Sequence, residues 1–433
     1  MEIDRRTVLA AGAALAAAPA LATTRGARRF PKGFLWGAAT AAHQVEGNNV
    51  NSDCWWLENT RPSVFAEPSG DACNSFALWR TDMDLVQRMG LGAYRFSLEW
   101  ARIEPEPGRF SIAMLDHYKG MIAGCRARGL EPFVTFNHFT TPRWFAARGG
   151  WMNAQGPELF ARFCDRAARH LADGIGHATT LNEPNLAGVL GDILPAGLLD
   201  ADKAMAEAAA KSLGVPLFLA GNALWVPDAA QVKAHLLAAH KAGRAAIKAV
   251  RGDLPVGVSL AMLDEQGGPD TLAPAMREKY YGDWLRAARG DEFVGVQNYE
   301  RNVWSATGKL PPPANAVRNM MGGEVYAPSL AGAVRHAWDV ARVPVYVTEH
   351  GVSATDDSVR ARLIGDALAE LHKAIGDGVP VKGYLHWSLL DNFEWVFGYK
   401  FKFGLHSVDP VTFKRTPKPS AAVLGRIARA HAV

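Results

Sequence analysis

Two stretches decide how this chain is read: Thr179-Thr180-Leu181-Asn182-Glu183-Pro184-Asn185 and Tyr346-Val347-Thr348-Glu349-His350-Gly351. Each is an apolar, β-prone run that closes on a glutamate, and each is then stopped, by Pro184 or by Gly351. Proline has no N–H to give a sheet and glycine weakens a strand, so both acids stand at a strand's exit. A carboxylate there is placed to act on something outside the sheet.

Six more β-prone runs share this rhythm. In chain order the eight are Phe34–Thr40, Ala93–Leu98, Pro132–Phe139, Ala178–Glu183, Val256–Met262, Phe293–Tyr299, Val345–Glu349 and Val381–Ser388. Helical periodicity fills the gaps, at Asp82–Met89, Leu115–Arg128, Glu158–Ala172, Ala230–Val250, Ala275–Ala288 and Arg360–Ile375. Gly90 and Gly129 stand where a helix end favours a left-handed residue. Strands alternating with helices predict a parallel sheet, and eight such units close most simply into one (β/α)8 TIM barrel. The predicted catalytic domain is residues 30–433, with an open doubly wound sheet as the alternative. Polar or aromatic residues gather at the C-terminal ends of the runs: His43-Gln44, Arg95, Asn137-His138, Asn182-Glu183, Gln297 with Tyr299, Glu349 and His386-Trp387. In a barrel these ends form one rim, the face that carries chemistry. Gln297 and Tyr299 are two apart and share a side; Asn298 takes the other.

Composition narrows the function. The 433 residues are 48% hydrophobic and 21% charged, an ordinary globular balance. The net charge of +4 comes from 47 basic and 43 acidic residues mixed along the chain, with no polybasic block, which argues against nucleic-acid binding. The 13 Trp are a high count, and in a cleft their flat faces suit the C–H faces of sugar rings as well as they suit a core.

The first residues read as an address. Asp4-Arg5-Arg6-Thr7-Val8-Leu9 opens an Ala-rich run ending Ala20-Leu21-Ala22, the pattern of a twin-arginine export signal over residues 1–22. The run is too short to span a membrane. The expected mature protein is folded before export, inserts in no membrane and is periplasmic or secreted. Of the four cysteines, Cys125 and Cys164 fall in helical stretches and are expected to pack as small apolar groups. Cys54 and Cys73 flank one long loop, and a bridge between them is left open.

Other chemistries lack their parts. The chain has no His-Glu-x-x-His zinc helix, no Gly-x-Ser-x-Gly elbow and no phosphate loop with Gly-Lys-Ser/Thr. Gly90-Leu91-Gly92 lacks the third glycine of a dinucleotide fingerprint, since Arg95 stands there. What remains is a pair of carboxyls. Cleaving a glycoside needs a proton for the leaving oxygen and negative charge near the developing oxocarbenium ion. Two carboxyls with separated pKa values supply both, without metal or organic cofactor. Arg95 is the candidate cation to keep one of them ionised.

With those residues in view, the chain resembles glycoside hydrolase family 1, the retaining β-glycosidases typified by β-glucosidases. The resemblance runs from about Phe30 to the C-terminus. It rests on Phe30-Pro31-Lys32-Gly33-Phe34-Leu35-Trp36-Gly37-Ala38-Ala39-Thr40 with Gln44 and Glu46-Gly47, Tyr94-Arg95-Phe96-Ser97 and Asn137-His138-Phe139. Asn182-Glu183-Pro184, Thr348-Glu349 and Trp387-Ser388-Leu389-Leu390-Asp391-Asn392-Phe393-Glu394-Trp395 complete it. The resemblance implies that Glu183 is the general acid/base and Glu349 the nucleophile. It implies that Asn182 holds the sugar 2-hydroxyl, and that Arg95 and Tyr299 orient Glu349. Gln44, His138, Gln297 and Glu394 would then hold glycone hydroxyls, and Trp387, Trp395 and Phe403 the walls. A carboxylate at Glu394 suits neutral hydroxyls and repels a 6-phosphate, so the expected substrate is a small unphosphorylated β-glycoside or oligosaccharide.

The chain departs from the family at His350, where Asn is usual, at Gln297, where Asn is common, and at Gly323, where many relatives carry Trp. The stretch from Leu186 to about Ala230 matches the family poorly. The glycone site is therefore the better-defined half. Transglycosylation to a sugar acceptor is the related alternative, and a sugar-binding protein on an inactive scaffold the distant one; both glutamates are present, which disfavours the latter.

Overall fold

The computed structural model describes residues 28–191, 194 and 196–433; the expected export signal at 1–22 lies outside the described residues. Eight parallel strands close into a barrel: β1 (Leu35–Ala39), β2 (Ala93–Ser97), β3 (Glu131–Asn137), β4 (His177–Asn182), β5 (Val256–Ala261), β6 (Phe293–Asn298), β7 (Val345–His350) and β8 (Val381–Trp387). Each pairs with its neighbour in sequence, and β8 returns to β1 with Leu35 opposite Gly383 and Ala39 opposite Trp387. The closed (β/α)8 barrel excludes the open sheet.

Helices ring the strands. Those named below are α1 (Ser75–Arg88), α2 (Ile112–Ala127), α3 (Gly156–Leu171), α4 (Ala196–Leu213) and α5 (Ala229–Val250). In α3, Pro157 and Glu158 open the first turn, and Leu159, Phe160, Phe163, Cys164, Ala167 and Leu171 form the buried stripe. It packs on α5, where Gly243 permits the approach: a Cβ there would lie 2.7 Å from the Phe160 ring. The stretch read as one helix at 275–288 is broken, with a π-helical turn at Glu278–Gly282 between two short α-helices. Beyond β4, the segment contains α4, whose residues Met205, Ala209 and Ala210 pack with Leu57, Ala146 and Phe218 over the rim.

All four cysteines are buried free thiols. Cys54 donates to the Asn222 side-chain oxygen at 3.3 Å and Cys73 to the Asp391 carbonyl at 3.3 Å, so the bridge left open by the sequence is not formed. Cys125 and Cys164 pack in the apolar core as expected.

The barrel interior is filled. Phe133 on β3 stacks on His177 of β4, with ring centres 5.2 Å apart, and Phe293 of β6 meets Tyr346 of β7 edge-on at 5.2 Å. This aromatic floor closes the N-terminal end and leaves the C-terminal end open to polar residues.

Two irregularities set what reaches that end. On β4, Thr179 pairs with Gly257 but the next partner pair is Asn182 with Ser259, so β4 carries one extra residue. On β7, Val347 pairs with Val296 and Glu349 with Gln297, so Thr348 is extra. A bulge of this kind shifts the two-residue alternation of side chains and re-aims the residues beyond it. Leu181 therefore faces the outer core while Asn182 points inward, and Glu349 points inward while His350 turns out.

Candidate active site

Glu349 sits at the end of β7, buried, and three side chains converge on it. Arg95 from β2 donates from Nη1 to Glu349 Oε1 at 2.5 Å. Gln297 Nε2 donates to the same oxygen at 2.9 Å, and the Tyr299 hydroxyl donates to Oε2 at 2.6 Å. Burial raises the Glu349 pKa, while the Arg95 charge and the Tyr299 and Arg95 hydrogen bonds oppose that rise. Phe403 meets Tyr299 edge-on, with ring centres 5.8 Å apart, and backs its ring.

Glu183 follows β4 in a left-handed backbone conformation, φ +44°, its N–H bound to the Ser259 carbonyl at 2.8 Å. For a non-glycine residue that geometry costs about 1–3 kcal/mol. The next turn is clamped: the Asn185 amide donates to the Ala261 carbonyl at 2.8 Å and accepts from its N–H at 3.0 Å. Among the described residues, no hydrogen bond reaches the Glu183 carboxyl. Burial first, and then the negative charge of Glu349, push its pKa well above the usual carboxylate range, against the opposing charge of Arg95. The two carboxyls thus differ by environment: Glu349 is held by three donors, and Glu183 is left to keep its proton.

Asn182 joins the two halves. Its side-chain oxygen accepts from Arg95 Nη2 and from Gln297 Nε2, the latter at 2.8 Å, and its amide nitrogen faces His138 Nε2 at 3.2 Å. Gln297, expected among the hydroxyl-binding residues, spends its amide nitrogen on Asn182 and Glu349; its oxygen is buried without a protein partner. Asn298 turns outward, as alternation requires, donating to the Met262 carbonyl at 2.8 Å.

A second cluster lies beside the pair. His138 stacks near-parallel to Trp387, with ring centres 5.9 Å apart, and to Trp395 at 6.3 Å. Burial, reinforced by Arg95, pushes its pKa well down, so the imidazole is neutral; its Nδ1 is buried and unpartnered. Gln44 donates to the Phe393 carbonyl at 2.7 Å, to Asn392 at 3.1 Å and to Glu394 at 3.5 Å, leaving Oε1 buried and unpartnered. Buried polar atoms without protein partners, on side chains otherwise fixed, are what a hydroxyl-rich ligand requires. Burial and the charge of Glu349 raise Glu394 to about 8.

The structure thus brings together Arg95, Asn182, Gln297, Tyr299 and Glu349 in one network, with Glu183 in electrostatic reach, and links Gln44, Glu394, His138, Trp387 and Trp395 beside it. Some contributors were given no role by sequence reasoning. His43 stacks on Trp395 at 5.7 Å and is held by Glu58 Oε1 at 2.7 Å. Phe139, also left-handed at φ +67°, meets Trp395 edge-on at 5.2 Å. His43 and Phe139 stood beside Gln44 and His138 in the motifs; Glu58 carried no signal of its own.

The departures from the family pattern resolve locally. His350 points away from Glu349, bonds the Tyr384 hydroxyl at 3.0 Å, and is driven down to about 3 by burial. At Gly323 a Cβ would lie 1.9 Å from Glu300 Oε1, so Glu300 fills the space a larger residue would take. Among the described residues, no group of three His, Cys, Asp or Glu side chains is arranged to hold a metal.

From Asn182 and Glu183 a cavity of about 490 Å³ extends beneath the segment after β4, lined among others by Leu186, Leu190, Leu219, Trp225, Val226 and Trp284. A smaller one of about 170 Å³ lies on the other side of Phe139, Leu186 and Leu190 and reaches Glu394 and Trp395.

A closed parallel barrel with two unequally polarised carboxyls at the C-terminal rim is the architecture of barrel glycoside hydrolases. The profile of glycosyl hydrolase family 1 matches residues 26–209 and 321–433. A β-glucosidase from Agrobacterium sp. is 31% identical, covering 91% of this chain and 94% of its own. Among solved structures, the β-glycosidase BGL167 is 46% identical with a TM-score of 0.87, covering 93% of this chain and 98% of its own. The apo β-glucosidase 1317 is 40% identical with a TM-score of 0.88, covering 92% and 98%. The chain belongs to glycosyl hydrolase family 1.

Proposed function

We propose that this protein is a retaining β-glycosidase, best read as a β-glucosidase, that releases terminal unphosphorylated β-D-glycosyl residues from small glycosides. The observation that carries the reading is the asymmetry of the carboxyls. Glu349, held by Arg95, Gln297 and Tyr299, is the nucleophile: its carboxylate attacks C1 and forms the glycosyl-enzyme bond as the C1–O bond breaks. Glu183, kept protonated by burial and by Glu349, gives its proton to the departing oxygen. Once Glu349 is esterified its charge is gone, so the pKa of Glu183 falls and it can take a proton from the incoming water. That water attacks C1, restores the β-configuration and frees Glu349. The names of the relatives, β-glucosidase and β-glycosidase, favour glucose as the glycone. A panel of 4-nitrophenyl β-glycosides tests this, with the β-glucoside expected to be cleaved best; a preference for another glycone moves the assignment within the class.

Tyr299→Phe removes the hydroxyl that lowers the Glu349 pKa. Without that hydrogen bond the carboxylate protonates more readily, so the acid limb of the kcat/KM–pH profile moves to higher pH. Turnover is expected to fall by about 10- to 100-fold, the scale of losing one hydrogen bond to a charged group. An unmoved acid limb counts against this role for Tyr299.

The preference for an unphosphorylated glycone has its own support. The residues lining the cavity at Glu394 include two acids, Glu394 and Asp202, and no Lys or Arg. Lys400 is exposed, its ammonium 5.4 Å over the Phe401 ring. Among the described residues lining this cavity, a phosphate dianion would meet a carboxyl and no cation, so kcat/KM for a 6-phospho-β-glucoside is expected to be at least about 100-fold below that of the plain glucoside. Comparable values would refute it.

The Asp4-Arg5-Arg6-Thr7-Val8-Leu9 opening supports export through the twin-arginine pathway, with the processed enzyme periplasmic or secreted. Replacing both arginines by lysine should leave uncut protein in the cytoplasm. Equal export of that variant removes the reading.

A further inference from the structure

The half of the site least explained by the family is the wall beyond Glu183. It comes from the segment after β4: the family profile takes in Leu186 and Leu190 but stops at 209 and leaves 210–320, with Trp225 and Val226, unmatched. The cavity that begins at Asn182 and Glu183 is walled by Leu186, Leu190, Trp225 and Val226, all only half-buried, over the buried Leu219 and Trp284. Half-buried leucine, valine and tryptophan in one concavity are apolar surface still offered to a ligand.

Among the described residues, the polar groups of this wall are mostly occupied. Both ends of the Asn185 amide are used by the Ala261 backbone, and Asn137 donates to the Thr140 carbonyl at 2.8 Å. Lys233 is paired with Asp283 at 2.5 Å, and Lys279 lies 5.8 Å over the Tyr280 ring. The Asp202 carboxylate accepts from the backbone N–H groups of Leu224 and Trp225, at 3.0 and 2.9 Å, fixing the turn that presents the indole; Lys203 lies 5.5 Å over one face of that ring. A second sugar would bring several hydroxyls to a wall with few groups, among the described residues, to receive them, and buried hydroxyls without partners are costly. A hydrocarbon asks for nothing but contact. The glycone side is built the opposite way, with Gln44 and His138 keeping polar atoms open.

We propose that the leaving-group side of this site is an apolar groove, formed by Leu186, Leu190, Trp225 and Val226, that selects β-glycosides of bulky hydrocarbon or fused-ring alcohols over those whose aglycone is a second sugar. The proposal rests on the β-glycosidase reading, which supplies the bond beside Glu183. It assigns this wall the choice of aglycone and leaves the choice of glycone to Gln44, His138 and Glu394.

The test is a series of methyl, butyl and hexyl β-D-glucosides, with cellobiose for comparison. The alkyl alcohols leave with nearly equal intrinsic difficulty, so a trend in kcat/KM reports the groove and not the chemistry. For the wild type, kcat/KM is expected to rise on the order of 30-fold from methyl to hexyl, as partial burial of five methylenes implies, and to exceed the cellobiose value. Leu190→Asn and Trp225→Ala should each lower the hexyl-to-methyl ratio several-fold. A flat alkyl series, or cellobiose preferred over hexyl glucoside, overturns the proposal without reference to any variant. If no β-glucoside is cleaved, the proposed activity fails, and the groove is read by calorimetric binding of the same series to Glu183→Gln: affinity rising with chain length supports it, and equal affinities overturn it.

Discussion

Turnover of 4-nitrophenyl β-D-glucoside by the Glu349→Gly variant falls by about 10⁴-fold or more, the scale of removing a covalent nucleophile from an otherwise intact site, and returns in part with azide or formate. The fall follows from the bond that cannot form. Arg95, Gln297 and Tyr299 still surround the place, but nothing there can attack C1. A small anion fits the room left by the side chain, where the Arg95 guanidinium attracts it. It approaches from the face Glu349 used, so azide gives the α-glucosyl azide, a product of inverted configuration. Glu183 remains to protonate the leaving group. Product analysis by NMR is the measurement; β-azide from this variant, or undiminished hydrolysis, would remove Glu349 from the role.

Glu183→Gln is expected to have a different signature. An amide cannot give up a proton as the C1–O bond breaks, so alkyl glucosides lose about 10²- to 10⁴-fold in kcat/KM, the range of general acid catalysis. Dinitrophenyl glucoside, whose leaving group needs no proton, loses much less. The pH profile changes too. The acid works when protonated, and burial with the charge of Glu349 keeps it protonated to a higher pH than an ordinary carboxyl. The alkaline limb of kcat/KM is therefore the loss of that proton, and in Glu183→Gln it disappears. Azide now attacks the glycosyl-enzyme from the side opposite Glu349 and gives the β-azide. The two variants thus yield opposite azides from one substrate. A loss that is the same for every leaving group, with the alkaline limb intact, would show that residue 183 is not the acid.

Much of this was legible in the sequence. All eight β-prone runs are strands, because short apolar runs between amphipathic helices have few other ways to bury both faces. The two glutamates were legible because each stood at a run's end. What the sequence hid was side-chain phase. Strict alternation from Tyr346 puts His350 inside the barrel and Glu349 outside; the extra residue at Thr348 reverses the two. On β4 the same logic would have aimed Leu181 inward in place of Asn182. Bulges are set by the pairing of neighbouring strands and carry no local signature in these residues. The family resemblance implied that Gln297 holds a hydroxyl; that its nitrogen serves Asn182 and Glu349 depends on residues of three strands meeting. At Gly323, where many relatives carry Trp, only the fold shows Glu300 in the space beside it.

The wall beyond Glu183 is one continuous length of chain between two fixed posts. At one end Asn185 is bolted to the Ala261 backbone; at the other, Asp228 caps α5 by accepting from the Gln231 N–H at 3.0 Å. Between them the segment is held by hydrogen bonds, such as Gly221 to Asp53 and Leu219 to Ala146, and by the apolar face of α4 packed on Leu57 and Ala146. It is in effect a cassette. If this wall chooses the aglycone as proposed, exchanging residues 186–227 for the corresponding piece of a relative, with those anchors and the α4 contacts kept, should change the leaving-group preference while Glu183 and Glu349 stay in place.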